Sequence, residues 1–245
     1  MERRRVSRIA HTHHPIAAPL DDATVRRLLE RALRRGDERV LDLGCGEGAW
    51  LLRALAGRPG VTAEGVDRDV EALAKAAREA AALGVGDRLT LHDRDAADFA
   101  SPHPFDVVLS VGAAHAFGGL MPTLAAAGAH LAPGGALLVG DGFWEREPTP
   151  DLVTMLGEYE DLPSTVERIA DAGWTPVLAH VSTLREWDDY EWSWTGSLTE
   201  WALDHHGDPD SAAALEAAAV HRAEWLRGYR GVLGFVTLLL RRTSS

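Results

Sequence analysis

Residues 40–48 read Val-Leu-Asp-Leu-Gly-Cys-Gly-Glu-Gly: a short apolar run that gives way to glycines at alternate positions. Val40, Leu41 and Leu43 suit a strand buried on both faces, as in a parallel sheet. Gly44, Gly46 and Gly48 let the chain reverse sharply and let a ligand approach without meeting a Cβ. A helix starting just afterwards presents amide groups. Strand, glycine turn and helix in this order belong to the doubly wound α/β architecture, whose ligands sit at the carboxyl ends of the strands near the switch point.

The flanking sequence supplies the rest of such a sheet. Asp21, Asp22 and Thr24 open an amphipathic helix carrying Val25, Leu28, Leu29, Ala32 and Leu33, and Gly36 stops it. Past the glycines, the pattern predicts a helix from Glu47 to about Ala56, a strand over 61–66, a helix over 69–83 and a strand over 88–91. A fourth strand follows over 105–111, a helix over 120–131 that ends at Pro133-Gly134-Gly135, and a fifth strand over 136–139. Further on come a helix over 164–172 and a strand over 176–183. About 45 mostly helical residues rich in Trp and Tyr precede the last apolar strand, 232–240. The fold expected is α/β: a doubly wound, mostly parallel seven-stranded sheet with a reversed last strand and a helical insertion. The segments expected are an N-terminal helical segment (1–36) covering the active site, a cofactor-binding core (37–183), an aromatic-rich helical lid (184–229), and the last core strand with its tail (230–245).

Composition narrows the function. The 245 residues carry a net charge of −12, which argues against a nucleic-acid partner. The longest apolar run, 232–240, is far short of the roughly 18 residues a membrane span needs. No apolar stretch follows Arg3, Arg4 and Arg5, so no secretory signal is read and a reducing, cytoplasmic setting is expected. The one cysteine, Cys45, excludes a disulfide scaffold or a cysteine-rich zinc site. His11, His13 and His14 lack a fourth partner and a nearby carboxylate, so no metal is expected there. Charge is uneven: residues 1–39 hold ten arginines against six acids, and residues 141–210 hold seventeen acids against three arginines. The acidic stretch reads as a solubilising surface or as one that attracts amines.

Two cofactors use a glycine turn of this kind. Gly44, Gly46 and Ala49 fit the loose dinucleotide fingerprint. Asp42, two residues before the first glycine, and Gly48 fit another pattern better, and four further segments follow in order: Gly65-Val66-Asp67, Asp95-Ala96, Phe105-Asp106-Val107-Val108 and Leu131-Ala132-Pro133-Gly134-Gly135. With these segments the chain resembles the class I S-adenosylmethionine-dependent methyltransferases of the small-molecule type, from about Asp37 to Val139 and more loosely beyond. The resemblance implies S-adenosylmethionine as cofactor and S-adenosylhomocysteine as product. It implies that Asp42, Gly44, Cys45, Gly46 and Gly48 hold the amino acid end of the cofactor. Asp67 would bind the ribose hydroxyls, with Arg68 beside the adenine. Asp95 would accept the adenine amino group, with Ala96 lending its amide and Asp93 or Asp98 as alternatives. Ser110 and Val111 would lie beneath the methyl-bearing sulfur. Asp106 reads as a strand-start residue held by amides, and Cys45 as a packed residue of the loop.

Methyl transfer is an in-line displacement, in which holding two reactants together supplies about 7–11 kcal/mol. A general base adds about 10²- to 10⁴-fold. His115, after the fourth strand, is read either as that base or as a residue shaping the pocket. Asp141 either binds a substrate amine or caps a turn. His14, Trp144, Trp187, Tyr190 and Tyr229 are the substrate-side candidates. The aromatic stripe of the insertion is either core packing or a lid that excludes water and cradles a cation. The expected reaction is methylation of oxygen or nitrogen on a small metabolite, an amine or a phenol, by a monomer or homodimer. The alternatives are a cofactor-binding protein with another or a regulatory role, a nicotinamide-dependent oxidoreductase, and a nucleic-acid methyltransferase, for which no Asn/Asp-Pro-Pro-aromatic tetrapeptide is present.

Overall fold

A computed structural model describes residues 1–243. The strands are β1 (Arg39–Leu43), β2 (Thr62–Asp67), β3 (Leu89–Asp93), β4 (Phe105–Val111), β5 (Leu131–Trp144), β6 (Trp174–Val181) and β7 (Leu233–Arg242). They form one sheet in the order β3-β2-β1-β4-β5-β7-β6. β1 pairs in parallel with β2 and β4, β2 with β3, and β4 with β5, whereas β7 runs antiparallel to β6. This is the mixed seven-stranded α/β fold expected, including the reversed last strand. The order turns back between β1 and β4, the switch point where such sheets bind ligands.

The chain groups into two units by its internal contacts. One comprises Asp22–Asp141, Pro163–Val181 and the chain from Val236, and the other comprises Met1–Asp21, Gly142–Leu162 and Ser182–Phe235. The first, the sheet unit, holds most of the sheet together with α2 (Asp22–Ala32), α3 (Ala49–Leu55), α4 (Val70–Ala82) and α5 (Leu120–Ala129). Helix α7 (Leu162–Asp171) leads into β6. The second, the helical unit, holds α1 (Arg3–Ala10), α6 (Pro150–Leu156), α8 (Leu184–Asp204), α9 (Ser211–Glu224) and a π-helical turn over Trp225–Tyr229. Helix α2 thus groups with the sheet, and residues 142–162 group with the long insertion.

In the sheet unit, Val40, Leu41, Leu43, Val107, Val108, Leu109, Leu137, Leu138 and Val139 are all buried, as central parallel strands require. Asp69 caps α4 by accepting the amides of Glu71 and Ala72 at 3.0 and 3.1 Å. Gly128 of α5 lies flat on Trp174 of β6, where a Cβ would come within 2.8 Å of the indole. In the helical unit, Thr183 and Glu186 form a reciprocal capping box that starts α8. Ala10 packs with Leu198 and Ala202 of α8 and Ala214 and Ala218 of α9.

Two expectations are corrected. β5 begins at Leu131, opposite Phe105, and continues to Trp144, so Gly140, Asp141 and Gly142 lie within a strand rather than a turn. Gly142 fits there because its missing Cβ leaves room for the Tyr159 ring, 2.9 Å from where the Cβ would stand. Helix α3 starts at Ala49, not Glu47, because Gly48 sits in the left-handed region at φ 74°. Among the described residues no helix is long and apolar enough to cross a membrane.

Candidate active site

At the carboxyl end of β1, the backbone turns through Gly44, Gly46 and Gly48 at φ 88°, 51° and 74°. Gly44 is required twice over, since a Cβ there would stand 2.5 Å from the Cβ of Ala113. Gly46 instead faces open space, with no atom within 4 Å of where its Cβ would be. Cys45 is buried, and burial pushes its thiol well above the usual range, which suits a packed residue and not a nucleophile.

Four of the five amides of this turn, those of Gly44, Cys45, Gly46 and Gly48, are already bonded. Gly44 and Cys45 both donate to the Val66 carbonyl oxygen at 2.9 and 3.0 Å, and Gly48 donates to Cys45. The Gly46 amide donates to Asp67 Oδ2 at 2.8 Å, and the Asp69 amide donates to Asp67 Oδ1 at 2.8 Å. A ligand on this turn therefore meets carboxylates before it meets free N–H groups. Asp42 strengthens that character. It is 3 % exposed, and among the described residues nothing donates a hydrogen bond to it. Burial, followed by the charge of Asp67, pushes its carboxyl up to about 8.

Such a site suits a cation and disfavours a pyrophosphate, which needs unpaired amides and no buried acid beside it. S-adenosylmethionine carries an ammonium and a sulfonium, so these residues fit it. Asp42 and the open face of Gly46 would hold the amino acid end, and Asp67 retains lone pairs for ribose hydroxyls.

The remaining residues expected on the cofactor side lie at or just beyond neighbouring strand ends. Arg68 Nη1 lies 2.6 Å from Asp95 Oδ2, on the surface. The Ala97 amide and Arg68 hold the Asp95 carboxyl below its ordinary value. Ala96 is buried in the short 3-10 turn that Asp95 caps. Ser110 is fully buried, and its hydroxyl donates to the Leu43 carbonyl oxygen at 3.2 Å, tying the end of β4 to the end of β1. Val111 is half-buried at the last position of β4. Asp106 accepts the Arg39 amide at 2.9 Å, as a strand-start residue should. His115 is exposed on the 3-10 turn that follows β4 (Ala114–Phe117), and Asp141 is half-buried in β5.

The five substrate-side candidates all fall in the helical unit and form one chain of ring contacts and packing. His14 meets Tyr190 edge-on at 5.3 Å between ring centres. Tyr190 and Tyr229 each meet Trp187 at 6.3 Å, and Trp144 packs in the apolar cluster that holds Tyr229 and Trp187. His14 also donates Nδ1–H to the Ile16 carbonyl oxygen, His13 pairs with Glu200, and His11 lies 3.1 Å from the Tyr190 hydroxyl.

Sequence reasoning passed over Glu191. It is 2 % exposed, accepts a hydrogen bond from the Tyr229 hydroxyl at 2.8 Å, and lies 2.7 Å from His221 Nε2. Trp194 stacks on His221 at 3.9 Å. Burial and then the Glu191 charge hold the Tyr229 phenol protonated far above its ordinary range. The signal was present: Glu191 lies four residues after Trp187 and three before Trp194, on the face that α8 buries.

Residues 41–137 match the family model described as a methyltransferase domain. With the fold and the site above, the chain belongs to the class I S-adenosylmethionine-dependent methyltransferases. It is 30 % identical over 222 residues to the uncharacterized protein YjhP of Escherichia coli K12, covering 87 % of this chain and 88 % of that one. Among solved structures, the S-adenosylmethionine-dependent methyltransferase from Geobacter sulfurreducens in complex with S-adenosyl-L-homocysteine superposes with a TM-score of 0.88 at 26 % identity, covering 97 % of this chain and 98 % of that one. The corresponding complex of the Thiobacillus denitrificans enzyme gives 0.87 at 26 % identity, covering 99 % and 100 %.

Proposed function

We propose that this methyltransferase acts on an oxygen or nitrogen of a small molecule, with His115 as the proton acceptor. The exposed His115 imidazole carries the reading. It stands just beyond β4 and, among the described residues, makes no side-chain hydrogen bond. An exposed imidazole there is placed to take a proton from a hydroxyl or an ammonium.

Asp42 and the β1 turn would hold S-adenosylmethionine, which would supply an activated methyl group there. The protein's share is placement. Asp42 fixes a positive charge in a dry position, Asp67 and the Gly46 amide keep the turn rigid, and Ser110 locks the end of β4 beside it. His115 removes the proton that the acceptor loses as its lone pair forms the new bond to carbon. Placement outweighs the base, because orientation supplies about 7–11 kcal/mol and a base about 3–5 kcal/mol. We assign substrate recognition to His14, Trp144, Trp187, Tyr190 and Tyr229, whose rings offer apolar walls and affinity for a cation. Asp141, on β5, is a second candidate for an amine.

The test is a screen of small amines and phenols with S-adenosylmethionine, followed by His115→Ala on the best acceptor. The expected result is cofactor affinity within about twofold of wild type and turnover reduced about 10²-fold or more. Undiminished turnover would remove His115 as the base. Activity on nucleic acid alone would remove the small-molecule reading.

A further inference from the structure

The arginines of the early chain converge on a cleft that the methyl-transfer site does not use. A cleft of about 370 Å³ opens at the amino-terminal ends of β1, β4 and β5, within the sheet unit. Its charged lining is Arg31, Arg34, Arg35 and Arg241 against Glu38 and Asp106. Both acids are already engaged. Glu38 is buried, and its two oxygens accept the backbone amides of Arg35 and Gly36 at 2.6 and 2.9 Å. Asp106 accepts the Arg39 amide and pairs with Arg35 at 3.0 Å.

The other three cations are in no ion pair among the described residues. Arg31 and Arg34 are exposed and have no ion-pair partner among the described residues, and Arg241 reaches only the Gly134 carbonyl oxygen, at 3.2 Å. The Pro133-Gly134-Gly135 turn lines the same cleft. Gly134 presents no side chain there, which leaves the Arg241 guanidinium uncovered. In a chain of net charge −12, four guanidinium groups against two carboxylates around one concavity focus a positive potential that the rest of the surface opposes. Guanidinium forks match phosphate oxygens two at a time.

We propose that this cleft binds a small phosphate-bearing anion. β1 starts at Arg39 beside the cleft and ends at Leu43 before the glycine turn, so the two sites stand at opposite ends of a strand about 15 Å long. The occupant does not touch the reacting atoms, and the arginines here take no part in holding the cofactor.

Isothermal titration of the S-adenosylhomocysteine-loaded protein with pyrophosphate tests this. One saturable site is expected, with affinity falling as salt rises. Arg34→Ser combined with Arg241→Ser is expected to weaken it at least about tenfold, or about 1.4 kcal/mol, and Arg34→Lys by less. Arg3→Ser combined with Arg4→Ser removes the same charge from the helical unit and should change affinity by less than about twofold. Thermal melts and cofactor affinity, unchanged in all variants, show that the fold is intact. Absence of saturable binding overturns the proposal, and so does an equal loss in the Arg3/Arg4 control. Tighter binding of a single-stranded RNA than of pyrophosphate, lost with the cleft arginines, also overturns it by making the ligand a nucleic acid.

Discussion

Asp67 gives both of its carboxylate oxygens to backbone amides, while Asp42, close enough to feel its charge, receives no hydrogen bond from the described residues. One acid holds the glycine turn in shape, and the other is buried with no donor among the described residues. The two therefore respond differently to pH and to mutation.

Asp42 makes the ligand-free protein sensitive to pH. Its carboxyl rises from 3.8 to about 8 on folding, so the folded state holds a proton that the unfolded chain has released. Its favourable contribution is complete below about 4 and is lost as pH climbs through 8. Thermal melts from pH 5 to 8.5 should show a declining component in wild type that Asp42→Asn flattens. A cation beside Asp42 favours the ionised form, so cofactor binding at pH 7 should release a proton. Titration heats in phosphate and Tris buffers should then differ for wild type and agree for the variant.

Gly44 and Gly46 should separate stability from affinity. Gly44→Ala forces a Cβ into Ala113 at a left-handed φ and is expected to cost about 1–3 kcal/mol or more of stability. Gly46→Ala meets no neighbour and should cost about 1 kcal/mol, while its methyl stands on the open face where the ligand approaches. Melting temperatures and cofactor titrations on the two variants should rank them in opposite orders.

Asp67→Ala should weaken S-adenosylmethionine binding at least about tenfold, or about 1.4 kcal/mol. Asp67→Asn should fall between, because the amide oxygen can still accept one of the two backbone N–H groups. Removing the Asp67 charge also lowers the carboxyl of Asp42, shifting the declining limb of the stability profile to lower pH. Unchanged binding in both variants would place the ribose contact elsewhere.

In the helical unit, Glu191→Ala removes the acceptor that Tyr229 and His221 share and leaves them only their 3.2 Å contact with each other, and a buried polar group that loses its charged partner costs about 1–3 kcal/mol. Glu191→Gln keeps an acceptor for Tyr229 and should lose less. Denaturant unfolding of the two variants gives the ranking, and equal losses would mean that the charge itself, not the hydrogen bonds, sets the cost.

The strands were readable wherever burial on both faces left an apolar run: β4 was expected at Phe105–Val111 and lies there. The glycine turn was readable because alternate glycines next to an apolar strand have few other uses. β5 was misjudged at both ends: Pro133-Gly134-Gly135 does turn, with Gly134 at φ 74°, but as a bulge inside the strand between the pairs Phe105–Leu131 and Val107–Ala136, while Gly140 pairs with Val111 and Gly142 leaves room for Tyr159, so 140–142 stay in the strand. Within the N-terminal segment the bounds of α1 were not read, because its four arginines outweigh its few apolar positions. Glu191 escaped because an acid among tryptophans reads as solvent-facing until a histidine thirty residues later is folded against it. The arginine cleft was hidden for a similar reason: Arg241 is two hundred residues from Arg31 and Arg34 in sequence.

The bonded amides of the glycine turn bear on how quickly the enzyme can load. A turn that has closed its own hydrogen bonds before the cofactor arrives has no ordering step left to perform. Little conformational entropy is lost there on association, and encounter alone limits the rate at this end of the ligand. Stopped-flow traces should then show a bimolecular phase whose rate climbs linearly with cofactor concentration, with no plateau contributed by rearrangement of residues 44–48.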